Sequence, residues 1–112
     1  MTGEPRRFAF VVGVRPEKRE EYLELHRAVW PEVEAKLREG NIRNYSIYAF
    51  GDTLFGYYEY VGADYDADMR TIDADPVTQR WLAQTDPCQV RIAEERNPGA
   101  VWQPLDEVWH LG

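Results

Sequence analysis

Hydrophobic and polar positions follow two rhythms along this chain, one of period two and one of helical period. Residues 7–14, "RFAFVVGV", are β-branched and aromatic and end at Arg15-Pro16, which predicts a first strand. Pro16 suits a first helical turn. Beyond it, positions 22, 25, 26, 29, 30, 33 and 37 form one helical face that runs to Gly40. Pro31 falls inside that face and removes a backbone donor, so the helix is expected to kink or split near Trp30.

Two alternating runs follow, "RNYSIYAF" (43–50) and "TLFGYYEY" (53–60), joined by Gly51-Asp52, the strongest hairpin signal in the chain. The polar stretch "GADYDADMRTIDAD" predicts the start of a short helix. Asp75-Pro76 reads as an N-cap and first helical residue, opening a helix through Trp81 and Leu82. Thr85-Asp86-Pro87 repeats the signal, and Cys88 falls in the apparent helix beyond. A loop around Asn97-Pro98-Gly99 precedes a final strand, "PLDEVWHL" (104–111). The order is β-α-β-β-α-β in a single α+β domain, 1–112, with no repeat or linker. It implies an antiparallel sheet with helices on one face, the ferredoxin-like arrangement.

Both faces of the hairpin carry rings. Tyr45, Ile47 and Ala49 alternate with Asn44, Ser46 and Tyr48, while Phe55, Tyr57 and Glu59 alternate with Leu54, Tyr58 and Tyr60. The face turned away from the helices is therefore expected to be covered by a second copy, in a homodimer.

Composition narrows the partners. With 112 residues, 44% hydrophobic and 29% charged, the chain supports one modest core. Four Trp and seven Tyr supply rings with polar tips, which serve cores and small-molecule pockets alike. A net charge of −7 offers no basic surface to phosphates and is repelled by anionic lipid, so neither nucleic acid nor membrane is expected as a partner. The apolar run near the N-terminus lacks a cleavage site and no segment is long enough to span a bilayer, so the cytoplasm is the expected compartment.

Several motifs carry little. Cys88 is the single cysteine and has no indicated base, and His26 and His110 are the two histidines, so no metal site is expected. "DYDAD" places Asp64, Asp66 and Asp68 like the start of a calcium loop, but Met69 stands where glycine is required, and a solvated helix start accounts for it better. "NYS" fits a glycosylation acceptor but lies inside a predicted strand. No nucleotide-binding, zinc-protease or serine-hydrolase motif occurs, and no cofactor is expected.

The candidate chemistry lies in "EYLELHRAVWPEVE". Tyr22 and His26 stand four apart and share a helical face. They are either a hydrogen-bonded part of the core stripe or one side of an aromatic pocket between helix and sheet. An imidazole in such a pocket can both donate and accept protons near neutral pH.

The chain resembles the L-rhamnose mutarotase family. The matching pieces run in order: "EYLELHRAVWPEVEAKL", "NYSIY", "LFGYYEY", "TQRWL" with a following "TD", and "EVWHL". The resemblance implies a cytoplasmic isomerase that interconverts the anomers of L-rhamnose without a cofactor, as a homodimer of the dimeric α/β barrel type. It further implies that His26 is the proton donor and that Tyr22, Tyr45 and Trp81 contact the sugar. The family commonly has two tryptophans after "QR"; here the second is Leu82, which opens the sugar preference to another 6-deoxyhexose such as L-fucose. Ring opening also needs a second proton-transfer group, for which Tyr22, Asp86, His110 and a bound water are available. Two competing readings are a cofactor-free monooxygenase-like barrel and a non-catalytic dimer that binds a small ligand.

Overall fold

The computed structural model describes residues 4–92 and 100–112, so the loop expected around Asn97-Pro98-Gly99 lies outside the described residues. Prolines set the helical breaks. Pro16 opens a 3₁₀ turn, Pro16–Lys18, that leads into α1, Arg19–His26. Pro31 does not merely kink the helix; it starts a second one, α2, Pro31–Glu39. Trp30 takes an extended conformation (φ −61°, ψ 130°), the geometry imposed on a residue before proline. Two further helices, α3 (Tyr65–Ala74) and α4 (Pro76–Thr85), form the second crossover. The Asp64 carboxylate accepts from the Ala67 N–H at 3.1 Å, and that of Asp75 from the Thr78 N–H at 2.9 Å. "DYDAD" is thus a capped helix start, as expected.

The strands are β1 (Arg6–Val14), β2 (Ile42–Phe50), β3 (Thr53–Tyr60), β4 (Gln89–Val90) and β5 (Gln103–Pro104). All pairings are antiparallel, in the order β2-β3-β1-β4, with β5 also paired to β1. Since β3 occupies one side of β1, β4 and β5 share the other. This corrects the predicted final strand at 104–111. Only Phe10↔Pro104 and Val11↔Gln103 pair, with one more bond from the Leu105 N–H to the Ala9 carbonyl at 2.8 Å. Beyond it the tail is tied by the Arg7–Glu107 ion pair at 2.7 Å, and Trp109 is 77% exposed. The fourth strand position is filled in part by β4, a stretch that the sequence placed in a helix.

The core lies between the sheet and the helices. Val12, Val14 and Leu54 pack with Tyr22 and Cys88, and Ile42 and Tyr60 pack with Ile72 of α3. Full burial of each such aliphatic side chain contributes about 1.5–3 kcal/mol. Register assigns the faces. Ile42 pairs with Tyr60 and Ile47 with Gly56, so β2 uses one more residue than β3 over that span. The extra residue is a bulge at Asn44, whose φ of 52° is left-handed. It allows Ile42 as well as Tyr45 and Ile47 to face the helices.

Candidate active site

α1 carries Tyr22 and His26 on successive turns. Tyr22 is buried in the core cluster, while His26 is half-buried at the end of the helix. The His26 Nδ1 lies 2.9 Å from the Tyr22 carbonyl oxygen. A carbonyl can only accept, so Nδ1 carries the hydrogen and Nε2 is the nitrogen left to exchange protons. The two rings stack at 4.2 Å, and Trp81 of α4 meets the imidazole edge-on at 5.3 Å. Trp30, delivered by the proline break, in turn meets Trp81 at 5.3 Å. One backbone bond, one phenol face and one indole edge therefore fix the orientation of His26. Trp81 itself is 6% exposed, so most of its indole is spent on this packing.

Tyr45 comes from β2, aimed inward by the bulge. It is 45% exposed, but its hydroxyl end sits in a desolvated environment that raises its pKa. Its ring tilts against Tyr58 at 5.2 Å, and the Tyr58 hydroxyl shares a 2.5 Å hydrogen bond with that of Tyr65. Burial pushes the Tyr58 hydroxyl far above its ordinary value, with the Tyr65 bond adding to the effect. Burial does the same to Tyr22, and Tyr45 adds to it; a hydrogen bond from Gln89 of β4 works in the opposite direction. These phenols stay neutral at ordinary pH and act as hydrogen-bond groups. Beside them lies a cavity of about 210 Å³ lined by Phe10, Tyr45, Gly56, Tyr58 and Trp102.

The structure brings His26, Tyr22 and Trp81 into one contact cluster, while the ring of Tyr45 packs on Tyr58 and reaches Tyr22 only electrostatically. The candidates for the second proton-transfer group separate. Asp86, in the 3₁₀ turn after α4, has its carboxyl raised by desolvation, and its charge reaches Tyr22. His110 instead acts on Glu59 and Glu107, on the opposite side of the sheet. Within one protomer it does not join the cluster. Cys88 ends that 3₁₀ turn, is buried, and has its thiol pKa raised by that burial, so it is a packing residue. The sequence reading missed four of the lining residues. Phe10, Gly56 and Tyr58 share the inward parity of β1 and β3 and were there to be read; Trp102 belongs to no periodic run.

A family model described as L-rhamnose mutarotase matches residues 7–111. The chain belongs to the L-rhamnose mutarotase family. The L-rhamnose mutarotase of Phocaeicola vulgatus is 32% identical over 108 residues, covering 95% of this chain and 98% of that one. Among solved structures, an L-rhamnose mutarotase from Formosa agariphila superposes with a TM-score of 0.72 at 23% identity, covering 96% of this chain and 99% of that one. Tetracenomycin F2 cyclase of Streptomyces glaucescens, a type-II polyketide cyclase, shares the fold alone, with a TM-score of 0.62 at 12% identity, over 96% and 99% of the two chains. The mutarotase family thus uses a sheet-and-helix frame that also occurs outside it, and the distinction between such proteins lies in the side chains on that frame.

Proposed function

We propose that this chain is an isomerase that interconverts the α and β anomers of L-rhamnose, with His26 exchanging the proton that opens and closes the ring. Family membership supports the reaction. The observation that carries the role of His26 is the bond from Nδ1 to the Tyr22 carbonyl, which reserves Nε2 for proton transfer.

Ring opening moves protons and one C–O bond. Protonated His26 donates from Nε2 to the ring oxygen as the C1–O5 bond breaks, while a base removes the anomeric hydroxyl proton and C1 becomes a carbonyl. Rotation about C1–C2 presents the other face, and the reverse transfers close the ring. Electrons and atoms balance without an oxidant. Asp86 or a water is the base, since the Tyr22 hydroxyl, with its raised pKa, is a poor proton acceptor and serves to hold the sugar. Tyr45 supplies a second hydroxyl. Trp81 orients the imidazole and offers the sugar only the small exposed part of its indole.

The active form in this reading is a cytoplasmic homodimer. Tyr48 and Phe50 lie on the sheet face away from the helices and are 64% and 80% exposed, an apolar area that a second copy would cover.

Proton NMR saturation transfer between the anomeric signals, on L-rhamnose and L-fucose separately, tests the activity. Faster exchange of L-rhamnose is expected. Acceleration of L-fucose alone would move the substrate, and acceleration of neither would remove the enzyme reading.

A further inference from the structure

We propose that Trp102 is a substrate-binding residue, its indole stacking on the apolar face of the sugar ring inside the cavity that it shares with Tyr45, Gly56 and Tyr58. The inference rests on the mutarotase reading for the identity of the sugar, and on the structure for the placement of the ring.

Three observations place it there. First, the backbone around Trp102 is pinned. Gln103 pairs with Val11, is buried, and donates from its side-chain amide to the Ala100 carbonyl at 2.8 Å. One more step of the same antiparallel register sets Trp102 beside Val12, on the helix-facing side of the sheet. Second, the indole is half-buried: it packs against the cluster of Val12, Leu54 and Tyr22, and its remaining surface lines the cavity. Third, the neighbouring strand makes room for it. A β-carbon at Gly56 would lie 3.3 Å from Cζ3 of Trp102, tighter than ordinary contact, so glycine allows the indole this close while leaving the cavity open.

The chemistry of the lining fits a sugar. A pyranose has C–H faces and a rim of hydroxyls, and the cavity has flat rings and phenolic hydroxyls. At about 210 Å³ it lies below the range of roughly 300–1,000 Å³ usual for drug-sized ligands, the scale of a single ring. Trp81 cannot supply this face, because its indole is spent against His26 and Trp30.

The test uses three variants of the full chain: Trp102→Leu, which keeps apolar volume without a flat ring, Trp102→Phe, which restores one, and Gly56→Ala. Anomer exchange is measured by NMR across a range of L-rhamnose concentrations, with thermal melts to compare folding. Trp102→Leu is expected to raise KM about three- to tenfold while the saturated rate stays within twofold. Trp102→Phe should recover most of the affinity. Gly56→Ala should raise KM in the same direction by displacing the indole. Unchanged KM in Trp102→Leu, or an equal loss in Trp102→Leu and Trp102→Phe, would overturn the role of Trp102 with the mutarotase reading intact. A wild-type protein that accelerates neither sugar would overturn the mutarotase reading instead.

Discussion

Both faces of the sheet carry aromatic residues and use them in opposite ways. On the helix side, Tyr22, Tyr45, Tyr58 and Trp81 touch other rings at 4.2–5.7 Å, the Tyr58 hydroxyl is bonded to that of Tyr65, and the hydroxyls of Tyr22 and Tyr45 are desolvated. On the other side, Tyr48 and Phe50 are exposed, while the polar groups there close on themselves: Glu59 accepts from Asn44 at 2.7 Å and from Tyr57 at 2.8 Å. Composition cannot distinguish these uses. Strand parity can, because a shift of one residue sends each side chain to the opposite face. One face packs its rings around His26, and the other leaves Tyr48 and Phe50 open to solvent.

That contrast can be broken at its centre first. His26→Ala should lower anomer exchange by about 10²–10⁴-fold, the usual contribution of a positioned acid or base. Its stability should fall by only about 1 kcal/mol, the value of one hydrogen bond, in urea unfolding. A variant that instead unfolds would return the histidine to the core. Trp81→Ala comes next: removing a buried indole should cost roughly 3–5 kcal/mol of stability, so its loss of activity should track its loss of fold.

On the outer face the expectation reverses. Phe50→Asp should change protomer stability by less than about 0.5 kcal/mol, as exposed substitutions do, yet shift sedimentation at micromolar protein from dimer toward monomer. A wild-type protein that sediments as a monomer would remove the cover altogether. The smallest effect lies at the inner rim. Asp68 has its carboxyl held below the usual value, first by the Tyr60 hydroxyl at 2.5 Å and then by the Asn41 amide at 3.0 Å. A depressed folded value means that its stabilisation is present above the unfolded value, about 3.9, and disappears as pH falls through the lower folded one. Asp68→Asn should therefore flatten the fall in urea midpoint below about pH 4, with no change in its slope near neutrality.

Much of this is legible in the sequence. The hairpin, the Asp75 N-cap, the proline break and the inward stripe of α1 follow from local rules, and each is present, whereas the repeated signal at Thr85-Asp86-Pro87 yields only a 3₁₀ turn with no side-chain cap bond. What escaped was non-local. Residues 104–111 alternate well enough to be a strand, but β1 gives them only two paired positions, because β4 takes its other end and Arg7 takes Glu107. Trp102 escaped for the same reason. It lies outside any periodic segment, and its position is fixed by pairing with a strand some ninety residues earlier. The Leu82 substitution, by contrast, was visible at once and says nothing about which ring faces the sugar.

The bulge at Asn44 aims Tyr45 toward the helices. It has a second consequence, for association. β2 is the outermost strand, and a regular outer strand offers a row of free backbone groups to any neighbour's strand. Asn44 interrupts that row, and beside it the Arg43 guanidinium donates to the carbonyls of Arg38 and Ile42, each at 2.9 Å. The irregularity that points a tyrosine into the pocket thus also blunts the border of the sheet, so restoring a smooth ladder there would misdirect the site and open the chain to edge-to-edge aggregation.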